Sequence, residues 1–155
     1  MFRITFLPRA AVLAAVAASS LMSATLVGAH SATFWFGHPG KAAEVGRTIE
    51  MSATDIRFTP KTVAVKVGET VKFQVTNSGK LDHEFLLGDV GGQVEHDKEM
   101  LTMGSMKMAH INGVSIAPGK TASLIWTFTK SGSLQYACHV PGHYLAGMVG
   151  QLTIK

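Results

Sequence analysis

From Thr48 onward, apolar and polar residues alternate with the two-residue period of half-buried strands. Thr48 to Phe58 follows it loosely, with Ile49, Met51, Ile56 and Phe58 as the apolar members. Thr62 to Val67 follows it cleanly, with Val63, Val65 and Val67 on one face. Val71, Phe73 and Val75 line the next strand, and His83 to Leu87 forms another after the turn at Asn77-Ser78-Gly79. Leu124, Trp126 and Phe128 mark a strand over Thr121 to Thr129. Leu134 to Cys138 and Val149 to Ile154 complete the set, with Gly68-Glu69 and Ser131-Gly132 as turns. Short strands with Gly-rich turns at this spacing predict an all-β sandwich or barrel.

Two segments break the rhythm. His30 to Gly46 is a Gly-containing lead, and residues 88–113 form a Met-rich insert between two strands. Within the insert, His96, Met100, Met103 and Met106 or Lys107 recur every three or four residues, the spacing of one helix face. The insert is therefore read as a loop or short helix. No internal repeat and no long linker is visible.

The first 29 residues are read apart from the fold. Arg3 and Arg9 are their only charges, Ala10 to Ala18 is an apolar run, and Val27-Gly28-Ala29 is a small-residue end. That order describes a secretory signal cleaved after Ala29. Ser19, Ser20, Ser23 and Thr25 interrupt the apolar run, so no stable membrane insertion is expected once the signal is removed. The domains are then a signal peptide over 1–29, an N-terminal lead over 30–47 and one globular domain over 48–155. The two signal arginines account for half of the formal net charge of +4. No Lys/Arg cluster remains, which excludes nucleic acid as an expected partner.

The chain has one cysteine, Cys138, so no internal disulfide is possible. A free thiol in an exported protein needs burial or a metal to protect it. Its surroundings read Cys138-His139-Val140-Pro141-Gly142-His143-Tyr144-Leu145-Ala146-Gly147-Met148, at the end of one strand and the start of the next. One tight loop thus presents a thiolate, an imidazole and a thioether, with no carboxylate. These are donors of an electron-transfer copper site, which needs a second histidine. His83, opening its own strand, is the candidate. Each residue also has a plainer reading: His83 as a strand-end cap, Cys138 as a small buried hydrophobe, Met148 as core. Strand alternation points His139 away from a metal held by Cys138, at the surface or behind the ligands.

With Cys-x4-His-x4-Met and Pro-Gly inside it, the chain from Thr48 to Lys155 resembles the cupredoxin family. Phe58-Thr59-Pro60, Val65 to Val71, Asn77 and the His83 strand follow that family's order. The resemblance implies a Greek-key β-sandwich with one type 1 copper ion, cycling between Cu(I) and Cu(II). It implies His83, Cys138 and His143 as equatorial ligands and Met148 as the axial one. It also implies a redox partner docking near His143, where Val140, Pro141, Tyr144, Leu145 and Ala146 form an apolar surround. One departure stands out: Glu84 occupies the position after the first ligand, where many cupredoxins carry an Asn that ties the ligand loops.

The His-containing lead is similar to that of periplasmic cupredoxins linked to copper tolerance. The expected function is therefore a monomeric, periplasmic copper protein transferring single electrons in copper homeostasis, and not an enzyme. The alternative is a plain carrier between periplasmic redox enzymes. A copper oxidase or nitrite reductase system needs further copper centres, and the His-x-His motif of oxidases does not occur in this chain. A second copper site is left open: soft thioethers at Met100, Met103, Met106 and Met108 suit Cu(I) and His30 as a new N-terminus suits Cu(II), but the helix-face spacing of the insert fits plain packing on the sandwich better, and a terminal His is often disordered.

Overall fold

The computed structural model describes residues 34–103 and 109–155. The signal segment, His30, Met106 and Met108 lie outside them. Among the described residues, ten strands form two five-stranded sheets that close over one apolar core. The first sheet contains β1 (Gly37–Pro39), β2 (Arg47–Thr54), β3 (Arg57–Thr59), β5 (Thr70–Asn77) and β8 (Thr121–Phe128), in the order β1-β8-β5-β2-β3. The second contains β4 (Thr62–Val65), β6 (His83–Gly88), β7 (Gly113–Ile116), β9 (Gly132–Ala137) and β10 (Val149–Ile154), in the order β4-β10-β9-β6-β7. Two pairs, β2 with β5 and β4 with β10, are parallel; the rest are antiparallel. The expected all-β sandwich is the observed one.

Alternation decides which residues fill the core. Val71, Phe73 and Val75 face inward from β5, and Leu124, Trp126 and Phe128 from its partner β8. Leu134 and Tyr136 on β9, with Leu152 and Ile154 on β10, answer them from the other sheet. Each large side chain so buried contributes about 1.5–3 kcal/mol of transfer free energy.

Four details differ from the sequence reading. The strand expected over Thr48 to Phe58 is a hairpin, folded at Asp55-Ile56 with Ile56 at φ 64°. Alternation continues through such a turn, so the apolar spacing alone does not reveal it. Val67 lies beyond the end of β4 and is exposed. Strand β7 is too short for its two apolar residues, Val114 and Ile116, to register as a period. Finally, the segment ahead of β2 joins the sandwich: β1 pairs with β8, and Phe34 and Phe36 each pack on Trp126 at 5.4 Å between ring centroids.

The insert carries a helix, α1 (Val90–Met103). Asp89 caps it, its Oδ1 accepting the Gly92 N–H at 2.8 Å. Its buried residues, Gln93, Asp97 and Met100, recur at helical spacing, but two of the three are polar. Gln93 Nε2 donates to the carbonyls of Leu86 and Gln135, which fastens α1 to β6 and β9. With the core behind it and α1 near it, β6 is buried at all six positions. No helix among the described residues is long and apolar enough to cross a membrane.

Candidate metal centre

Strands β6 and β9 run antiparallel, with Leu86 opposite Ala137. That register brings His83, at the start of β6, toward Cys138, just past the end of β9. Cys138 Sγ lies 3.3 Å from His143 Nδ1 and 3.8 Å from His83 Nδ1. The three ligand atoms all fall within 4.8 Å of one another, and all three residues are buried. Both imidazoles therefore turn the same nitrogen, Nδ1, toward the sulfur.

The loop geometry explains how one short segment supplies three donors. His143 N–H donates to Val140 O, Ala146 N–H to Gly142 O, and Gly147 N–H to Tyr144 O, so the chain winds through consecutive tight turns. Gly142 (φ 87°) and Gly147 (φ 88°) sit where a side chain would be strained. Met148 then closes the loop: its N–H donates to His143 O, and its carbonyl accepts the Cys138 N–H. Met148 is fully buried beside both residues.

Supporting contacts hold the donors in place. Asn77, fully buried, donates from Nδ2 to Leu81 O and Ile116 O and accepts the Gly79 N–H at Oδ1. It pins the turn before His83 to β7. Asp55, at the hairpin turn, accepts the Lys80 and Leu81 N–H groups and places Oδ1 3.5 Å from His83 Nε2, short of hydrogen-bond alignment. The Glu84 N–H donates to Cys138 Sγ at 3.3 Å.

Burial controls the protonation states. It pushes the Cys138 thiol up to about 11, against the opposing Glu84 and Val140 backbone N–H groups. Burial lowers His83, with His143 adding to it, and burial lowers His143 as well. The imidazoles are thus held as neutral ligands, and a bound cation must displace the thiol proton. Donor identity fits copper: two imidazoles, a thiolate and a thioether, with no carboxylate among them. The spacings of 3.3 and 3.8 Å suit donors around one small ion. His83, Cys138, His143 and Met148 would hold it, and the ion supplies the one-electron redox chemistry.

His139 is not at the surface. Its side chain points away from Cys138 as alternation requires, yet it is fully buried under α1. Gln93 Oε1 takes its Nε2–H at 2.6 Å, Asp97 Oδ1 lies 3.4 Å from Nδ1, and Tyr144 stacks on the ring. Burial, then His96, lowers its pKa. The sequence carries a helix-face spacing through His96, Met100 and Met103, but nothing in it marks polar Gln93 and Asp97 as the residues that cover His139. Glu84 likewise faces α1: burial raises its carboxyl, opposed by His96, the His139 N–H and the Ser115 hydroxyl. The residue after the first ligand thus still reaches the cysteine strand. Of the methionines proposed for a second site, Met100 is buried in α1 and Met103 is exposed at its end.

Comparison with known proteins agrees with this geometry. The family model of copper binding proteins of the plastocyanin/azurin family matches residues 45–155. A copper-resistant cuproprotein CopI of Pseudomonas aeruginosa is 44% identical, the match covering 77% of this chain and 82% of that one. A copper-resistant cuproprotein CopI of Rubrivivax gelatinosus is 41% identical, covering 82% and 78%. Among solved structures, dithionite-reduced auracyanin of Roseiflexus castenholzii superposes with a TM-score of 0.62 at 21% identity, over 72% of this chain and 98% of that one. The chain belongs to the plastocyanin/azurin family of copper-binding proteins, and its cofactor is one type 1 copper ion.

Proposed function

We propose that this member of the plastocyanin/azurin family works in the periplasm as a copper-tolerance protein, reached through cleavage of the 1–29 signal, and that it carries single electrons without itself being an enzyme. The observation that carries the reading is the buried convergence of His83, Cys138 and His143, with Met148 closing their loop. Relatives named as copper-resistant cuproproteins support the tolerance role.

The residues act by keeping one geometry in both oxidation states. Asn77 and the loop bonds fix the donors before the ion arrives, so little has to move when an electron enters or leaves. Burial excludes water from the sulfur. His143, 6% exposed, is the ligand near the surface, beneath exposed Pro141, Leu145 and Ala146. An apolar surround of this kind suits brief docking of a redox partner to a monomer.

Disruption of the gene should sensitise cells to added copper, the intact gene should restore tolerance, and the Cys138→Ser gene should not. Unchanged copper sensitivity in the disrupted strain would favour a plain carrier between redox enzymes.

A further inference from the structure

Behind the copper ligands, on the side of β6 that faces α1, lies a second convergence of donor atoms. Glu84 comes from β6, His96 from the middle of α1 and His110 from the segment leading into β7. Their ligand atoms fall within 4.8 Å of one another. We propose that Glu84, His96 and His110 form a second metal site, for a divalent cation of the Zn(II) or Cu(II) class, distinct from the type 1 centre.

Three observations carry this. First, Glu84 Oε2, His96 Nε2 and His110 Nε2 are each buried without a hydrogen-bond partner. A buried polar atom left unpaired costs about 1–3 kcal/mol, and three of them meeting at one place point to a shared partner. One cation would satisfy all three. Second, the far side of His96 has a carboxylate near it: its Nδ1 lies 3.5 Å from Glu99 Oε2, one helical turn on. Metal-bound histidines commonly hold such a carboxylate on the nitrogen turned away from the metal, and the nitrogen left for an ion here is the orphaned Nε2. Third, the scaffold is fixed on each side. Asn112, two residues after His110, is bonded to β6 through both its side chain and its carbonyl at Leu87. The His96 ring also stands edge-on to His110 at 4.6 Å and to His139 at 4.7 Å, so its plane is set by packing.

The donor set gives the class of ion. Two imidazoles and one carboxylate suit borderline divalent cations, whereas Cu(I) prefers sulfur and Mg(II) or Ca(II) prefer oxygen. Glu84 also links the two centres: its carboxylate belongs to this cluster while its N–H donates to Cys138 Sγ. Occupancy here should therefore be felt at the type 1 ion.

The test uses the mature protein with one copper at the type 1 centre. Titration with Co(II) should give one equivalent of new d–d absorption, displaced by Zn(II), with a small shift in the thiolate-to-copper band. Glu84→Gln keeps the backbone donor and the side-chain volume, and His110→Gln lies in the connecting segment. Each should weaken Co(II) binding about 10–100-fold while retaining the type 1 band. A second equivalent of Cu(II) that competes with Co(II) would make copper the natural occupant; failure to compete would make it zinc-class. Absence of Co(II) binding by the wild type, or equal binding by both variants, would overturn the proposal. Circular dichroism of each variant separates lost folding from lost metal.

Discussion

His83 and Glu84 are adjacent in sequence, as are Cys138 and His139, yet each pair divides between two opposite surroundings. His83 turns its Nδ1 toward Cys138 Sγ, which lies in the core cluster with Met148; Glu84 and His139 turn toward α1. Alternation along β6, and the loop that continues it past the end of β9, do this sorting. On one side the donors are soft, one loop supplies three of them, and backbone bonds fix that loop from within. On the other, acid, amide and imidazole groups come from β6, α1, the loop after β9 and the segment before β7, and are fixed by side-chain hydrogen bonds and ring packing. Ligands held by one short loop are legible as a motif; ligands gathered from distant elements are not.

The largest expected effect breaks the soft side outright. Cys138→Ser should abolish the intense thiolate-to-Cu(II) absorption and reduce Cu(II) affinity by more than ~100-fold, since even a residue behind a ligand costs 10–100-fold. Visible spectra and copper competition titrations measure both. Retained colour would mean that another sulfur binds the ion.

Protonation gives the next effect. With the metal-free thiol raised to about 11, it is protonated throughout the neutral range, so each bound ion releases that proton. Apparent Cu(II) affinity should rise about tenfold per pH unit between pH 7 and 9. His83 and His143, lowered by burial, need no deprotonation there. Affinity that is flat over this range would mean the thiol already ionises in the metal-free protein. The sign also bears on stability. A thiol whose folded pKa lies above its ordinary value stabilises the metal-free fold below about pH 9, its unfolded value, and loses that contribution as pH rises toward 11.

A smaller effect should come from the residue that positions His83 without touching the metal. Asn77→Ala removes two donated bonds and one accepted bond from a fully buried site, leaving the Leu81 and Ile116 carbonyls without that donor. We expect a loss of about 2–4 kcal/mol in denaturant unfolding and a broadened, shifted copper band, but retained colour. An unaltered spectrum would show that the loop ahead of His83 is held without it.

The strands, the all-β class and the Cys138 to Met148 loop were legible because their signals are local: a period of two, and donors at fixed spacing. His83 was placed through family order. What escaped were contacts between segments far apart in the chain. The turn at Asp55-Ile56 hides inside a continuing alternation, and it is the turn that brings Asp55 beside His83. The N-terminal lead read as an appendage, although Phe36 lies in the core against Trp126. Residues 96–110 stand out in the sequence for their methionines, but the buried members of α1 are Gln93, Asp97 and Met100. A helix that packs through polar side chains gives almost no apolar period, so its burial of His139 could not be read in advance.

The least disruptive change concerns the surface above His143. Leu145 is 73% exposed, and its neighbours Pro141, Gly142 and Ala146 are also exposed. Its side chain therefore gives little to the fold, and a substitution there should move stability by no more than about 0.5 kcal/mol. If a redox partner docks here as proposed, its value lies in an apolar contact close to a buried ligand. Leu145→Glu places a charge that must be desolvated on docking, which costs far more than the lost contact. We expect electron exchange with the physiological partner to slow about tenfold, with the copper spectrum unchanged. Stopped-flow exchange at low and high salt gives a second readout. Salt screens charges but leaves apolar contact intact, so the wild-type rate should depend only weakly on ionic strength. A rate for Leu145→Glu equal to wild type at both salt concentrations would place the electron's entry elsewhere on the sandwich.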